Sequence, residues 1–111
     1  MYSQKIIRDL KPDWYLQLSS KQKKAENRRM EQDHSLAWKN KPNQIPSGTK
    51  IIAKESCNSL TKGNVYIVKK CFSTLVTTIY FTEWHHFVTL KNKYGWTVKM
   101  NIRKFEKIVL P

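Results

Sequence analysis

The sequence predicts a mainly β protein: a small barrel of five or six strands over residues 47–111, preceded over 1–46 by a basic N-terminal arm that is helical or partly disordered. Three observations carry this expectation. Short runs of β-branched and aromatic residues recur from residue 49 onward, with turn residues between them. The longest run of helix formers lies wholly within the first 40 residues. Between the two textures, "KNKPNQIPSG" (39–48) combines two prolines, a glycine and polar residues, which marks a linker and sets the boundary near Pro46.

In the arm, "DLKPDWYLQL" (9–18) offers Leu10, Trp14, Tyr15 and Leu18 as a cluster able to pin the arm to the barrel. "SSKQKKAENRRMEQDHSLAW" (19–38) then reads as a helix near 20–38. Ser19 and Gln22 fit a capping box, and Lys, Gln, Ala, Glu, Arg and Met follow. Its apolar face is weak, because Ala25, Met30 and Leu36 share no narrow stripe. Lys21, Lys24, Arg28 and Arg29 instead fall within an arc of roughly 140°. Such a helix gains little from packing and is expected to order on a partner.

In the barrel, strands are expected at about 49–54, 64–71, 74–82, 86–92, 95–100 and 106–110. The segment "KIIAKESCNSLTKGNVYIVKK" (50–70) shows the pattern: two β-prone runs around a polar stretch that ends in Lys62-Gly63-Asn64. Alternation places Val65, Ile67 and Phe87 on one face. Lys62-Gly63-Asn64 and Lys93-Tyr94-Gly95 supply turn chemistry. Short strands at this spacing suggest a closed barrel, and closure removes exposed sheet edges. Tyr66, Tyr80, Phe81, Phe87 and Phe105 are expected in the core. Trp84, Tyr94 and Trp96 are expected at exposed strand ends or turns.

The parts "LTKGNVYIV" (60–68), "FVTLKNKYGWTV" (87–98) and "IRKFEKIVL" (102–110) resemble the SH3-like barrels of small bacteriophage proteins. A Lys-Gly turn of this sort is also similar to that of KOW-type barrels in ribosomal and transcription proteins. The resemblance spans 49–110 and implies an SH3-like fold. It does not imply one function, since barrels of this type bind peptides, RNA, DNA or proteins. Two features depart from it. The stretch 71–86 is longer and more apolar, and the loop 55–63 holds only Glu55 as an acid.

Charge bounds the function. Lys and Arg number 21 against 8 Asp and Glu in 111 residues, a net charge of +13. That balance favours a polyanionic partner. No apolar run approaches the roughly 20 residues of a membrane span. Residues 1–20 hold neither an apolar h-region nor a small-residue cleavage site, so the chain is expected in the cytoplasm, that of a host cell if phage-encoded. Cys57 and Cys71 are then expected as free thiols.

No catalytic site is expected. The barrel's only carboxylates are Glu55, Glu83 and Glu106, and no nucleophile motif surrounds its Ser or Cys residues. No metal or cofactor is expected either, because Cys57, Cys71, His34, His85 and His86 lack ligand spacing. The chemistry that remains is cationic and aromatic. Candidate nucleic-acid contacts are Lys21, Lys24, Arg28 and Arg29 in the arm. In the barrel they are Lys50, Lys54, Lys62, Lys91, Lys93, Tyr94, Trp96, Lys99, Arg103 and Lys104. Cations would hold phosphates, and flat rings would stack on bases or sugars.

The expected function is non-enzymatic nucleic-acid binding of bacteriophage type, with weak sequence specificity, and DNA ahead of RNA through the resemblance alone. The alternative is a module that engages an acidic surface of a host polymerase or defence enzyme. A membrane-surface role is disfavoured, because the basic residues do not lie opposite an apolar helix face.

Overall fold

The computed structural model describes residues 1–109 and is mainly β. Its elements are β1 (Tyr2–Ile6), α1 (Asp13–Leu16), α2 (Ser20–Lys39), β2 (Lys50–Ala53), β3 (Val65–Ile67), β4 (Lys70–Thr77), β5 (Thr82–Lys91), β6 (Thr97–Asn101) and β7 (Phe105–Val109), with a short 3-10 turn at Ile102–Lys104. The strands form two sheets, ordered β1-β4-β5-β6 and β3-β2-β7. Among the described residues they do not close into a barrel, which corrects the expected closure.

The reason lies at Val68–Lys69, inside what reads as one strand over 64–71. The Val68 amide donates to the Thr49 carbonyl at 2.9 Å, whereas the Lys69 amide donates to the Thr89 carbonyl at 2.8 Å. The chain thus changes sheets there. β3 stays short and β4 starts afresh, so the β2 sheet keeps β3 and β7 as edges.

The chain divides into two compact units. One comprises Met1, Asn43–Ser73 and the chain from His85; the other comprises Tyr2–Pro42 and Thr74–Trp84. We call them the sheet unit and the helix unit.

In the sheet unit, β2 pairs antiparallel with β3 (Ile51 opposite Tyr66) and with β7 (Ile51 opposite Ile108). Alternation turns Ile51 and Ala53 inward. They meet Leu60, Val68, Cys71, Val88, Leu90, Met100 and Phe105 in one core, flanked by Ile45, Cys57, Tyr66, Val98 and Ile102. β5 pairs with β6 from Phe87 opposite Asn101 to Lys91 opposite Thr97. One core expectation needs correction here: Phe87 is half-buried and lies outside this cluster. Val65 and Ile67 share a face, the outward one, and each is 56% exposed. The inward positions of that strand are Tyr66 and Val68. Both cysteines are free thiols, Cys71 buried and Cys57 half-buried.

The Lys62-Gly63-Asn64 turn is built as its residue types require. Gly63 has φ +84°. Its amide donates to the Ala53 carbonyl at 2.9 Å, and the Ala53 amide donates back to the Asn64 carbonyl at 3.2 Å.

In the helix unit, α2 starts with the expected capping box. Ser19 Oγ accepts from the Gln22 amide at 3.2 Å, and Gln22 Oε1 accepts from the Ser19 amide at 2.9 Å. The inward face of α2 carries Met30 and His34, one turn apart. Met30 packs with Tyr15 and Ile79, and Ile6 and Leu18 border them. Of the expected pinning cluster, Leu10 and Trp14 are exposed instead. His34 is polar and buried, which hides this face from an apolar-stripe reading. Its Nε2 donates to Gln4 Oε1 at 2.7 Å, so its Nδ1 accepts from the Thr77 hydroxyl at 2.7 Å. Strand β1, which brings Gln4, is not signalled by the sequence, since "YSQKI" has β-prone residues only at its two ends.

The expected strand over 74–82 is interrupted by a turn. Thr78 Oγ1 accepts from the Tyr80 and Phe81 amides at 3.1 and 3.2 Å, and the Thr78 amide donates to the Phe81 carbonyl at 2.8 Å. Tyr80 and Phe81 therefore sit on the turn, 55% and 42% exposed, rather than in the core.

Two outcomes follow for stability. Gly63→Ala forces an L side chain into the left-handed region, though space is open around it. The cost is about 1–2 kcal/mol, read as a lower thermal midpoint with an unchanged folded spectrum. The second concerns pH. Burial, and then the Arg8 charge, hold His34 below its ordinary 6.5. Burial, and then His85, do the same to His86. The unfolded chain takes up these protons before the folded chain does. Stability is therefore full above 6.5 and falls as pH drops below it. Thermal scans across that range should show the fall, and H34Q or H86Q should lessen it. A midpoint that rises on acidification would contradict this assignment.

Candidate nucleic-acid interface

The β5–β6 connection is held from inside. Asn92 is buried, and its Oδ1 accepts from both the Tyr94 and Trp96 amides at 3.0 Å. Its own amide donates to the Trp96 carbonyl at 2.9 Å, and the Gly95 amide donates to the Asn92 carbonyl at 3.0 Å. Gly95 takes φ +81°, which a side chain would resist. A side-chain acceptor that ties two amides of one turn leaves the loop little freedom.

What this rigid turn displays is apolar and flat. Tyr94 is 61% and Trp96 68% exposed. Their ring centroids are 5.5 Å apart at 44°. The Lys93 ammonium lies 5.2 Å from the Tyr94 ring centroid, and Lys91 precedes the turn on β5. Rings this exposed contribute little to folding. Their placement beside cations provides stacking faces within reach of phosphate-binding groups.

The other predicted cations of the sheet unit are distributed along it. Lys50 projects outward at the start of β2, and Lys54 follows that strand. Lys62 sits in the glycine turn, its amide bonded to Ser56 Oγ at 3.0 Å. Lys54 and Lys104 meet through a backbone bond of 2.9 Å, with Arg103 alongside in the 3-10 turn. Lys104 is engaged: its Nζ donates to Glu55 Oε1 at 2.8 Å. That bond and charge raise the Lys104 pKa and lower that of Glu55. Lys99 lies over two rings, Phe72 at 4.8 Å and Phe87 at 5.3 Å.

In the helix unit, the four predicted cations separate. Taking Met30 as the inward direction, Lys21, Lys24 and Arg28 point roughly 120–180° away, onto the solvent face. Lys39, not foreseen, shares that face. Arg29 is turned aside. It pairs with Glu26 and Asp33 at 3.1 Å each and donates to the Ile79 carbonyl at 3.2 Å. Trp84, expected to be exposed, stacks on Trp38 at 5.9 Å and 17°, with Tyr2 edge-on at 5.7 Å. Lys41 covers this group, 4.2 Å from the Trp38 ring centroid. It went unnoticed because it lies in the linker, where no periodicity assigns a face.

Among the described residues, no three His, Cys, Asp or Glu side chains gather as a metal site, and no helix is long and apolar enough to cross a membrane. Comparison of the chain with protein-family models, with curated proteins and with solved structures gave no match.

The aromatic turn separates structural from surface roles. Asn92→Ala orphans two amides and should cost about 1–3 kcal/mol, seen as a lower thermal midpoint. Trp96→Ala should stay within about 0.5 kcal/mol of the wild type. Equal losses from both would mean that Trp96 is structural after all.

Proposed function

We propose that this chain is a non-enzymatic nucleic-acid-binding protein of bacteriophage type, built on an SH3-like strand arrangement and working in the cytoplasm. The observation that carries the reading is the Asn92-braced turn, which spends two large rings on solvent beside Lys91 and Lys93. The rings stack on bases whatever their identity, while exposed lysines hold phosphates. Specificity for sequence is therefore weak, and affinity depends on salt. The outward face of α2, with Lys21, Lys24 and Arg28, supplies a second cationic surface.

The alternative is an acidic host protein as partner. What favours it is the exposed Val65–Ile67 face, which Lys69 and Lys91 border. An acidic, partly apolar surface would match it.

Salt titration of binding to a random duplex tests the first reading. Each lost phosphate contact makes the slope of log affinity against log salt shallower by about 0.9. Replacing Lys21, Lys24 and Arg28 by Ala should therefore flatten it by up to about 2.7 units. Arg29→Ala should change it less than any one of these, because its guanidinium is held by Glu26 and Asp33. Absence of binding to duplex and to single strands at low salt would overturn this reading in favour of the acidic partner.

A further inference from the structure

The sheet unit holds a second group of rings and cation, away from the aromatic turn. Strands β4, β5 and β6 are neighbours in that order. Cys71 and Ser73 on β4 face the core, so Phe72 faces away. Val88 and Leu90 on β5 face the core, so Phe87 and Thr89 face away. Met100 on β6 faces the core, so Lys99 faces away. Phe72, Phe87 and Lys99 thus emerge on one outward face, from three adjacent strands. The Lys99 ammonium lies within 4.8 and 5.3 Å of the two ring centroids.

Core packing does not account for these rings. Neither Phe72 nor Phe87 belongs to the buried cluster of the unit, and both remain half-buried. A phenylalanine has no polar atom to satisfy and gains most when fully covered. The Lys99 ammonium lies over both rings, a contact worth about 0.5–1 kcal/mol at an exposed site. A stronger partner displaces it at little cost. A base offers the ring a better stacking face, and a phosphate offers the lysine a better counter-charge.

The position fits the same partner as the aromatic turn. Trp96 lies in the turn before β6 and Lys99 within that strand, three residues apart and so about 10 Å of extended chain. A flexible strand bound at Tyr94 and Trp96 can span that distance. A duplex cannot use the site, because its bases are stacked on one another.

We propose that Phe72 and Phe87 form a second base-stacking site for single-stranded nucleic acid, besides Tyr94 and Trp96, and that Lys99 leaves the rings to hold a phosphate when the site fills. This rests on the nucleic-acid reading above and adds the strand form that the protein prefers.

The test uses the full chain, a short oligothymidylate and a duplex of equal length. Phe72→Leu with Phe87→Leu keeps both positions apolar and removes the flat faces. Single-strand affinity should fall about tenfold or more per ring, while duplex affinity stays within about twofold of wild type. Phe72→Tyr with Phe87→Tyr should retain single-strand binding. Lys99→Gln, which alters only an exposed side chain, tests the site even if the Leu pair fails to fold. It should flatten the single-strand salt slope by about 0.7. A folded Leu pair that binds single strands like wild type overturns this site, as does an unchanged Lys99→Gln slope. Either result leaves duplex binding, and so the broader reading, intact. Wild-type protein that binds neither form overturns both.

Discussion

A shortage of negative charge governs this structure. With 21 basic and 8 acidic side chains, most cations can have no carboxylate of their own. The chain must fold against that repulsion. The described ion pairs show where the acids went: Arg29 takes Glu26 and Asp33, Arg8 takes Glu31, and Lys104 takes Glu55. Elsewhere aromatic rings stand in as partners. Lys23 lies over Tyr15, Lys41 over Tyr2 and Trp38, Lys93 over Tyr94, and Lys99 over Phe72 and Phe87. A ring quadrupole attracts a cation without neutralising it. The excess charge therefore stays on the surface, beside flat apolar faces.

That pairing links fold to function. On the sheet unit, each ring–lysine contact is weak and made of two groups that nucleic acid can satisfy separately. The phosphate takes the lysine and the base takes the ring. The turn at Asn92 adds rigidity, since a buried side-chain acceptor fixes both amides that carry Tyr94 and Trp96. Preorganised rings lose little entropy on binding. Helix α2 is held by its capping box and by the buried contacts of His34. Its outward face carries Lys21, Lys24, Arg28 and Lys39 among other exposed side chains.

The sequence made local features legible where a residue type has one physical use. Ser19 with Gln22 marked the helix start, Gly63 marked a left-handed turn, and Tyr94 and Trp96 were correctly expected on the surface. It failed where tertiary contacts choose between two readings. "VYIVKKCF" carries continuous β propensity, yet the chain changes sheets at Val68–Lys69, where the Val68 amide bonds to Thr49 and the Lys69 amide to Thr89. "TTIYF" reads as strand, yet the Thr78 hydroxyl captures two amides and folds it into a turn. Strand β1 is too polar to signal itself. The candidate site was half legible. Arg29 looked equivalent to Arg28 until Glu26 and Asp33 were seen to hold it, and Phe72 drew no notice because one residue of alternation decides its face.

The central claim is that rings and lysines on the sheet unit receive nucleic acid together. Backbone amide shifts mapped by NMR during titration with a short single strand test it most directly. The account predicts that the largest shifts fall on residues 91–97, with the Trp96 indole among them, and on Phe72, Phe87 and Lys99. Saturable shifts confined to the Val65–Ile67 face, or no shifts at low salt, would contradict it.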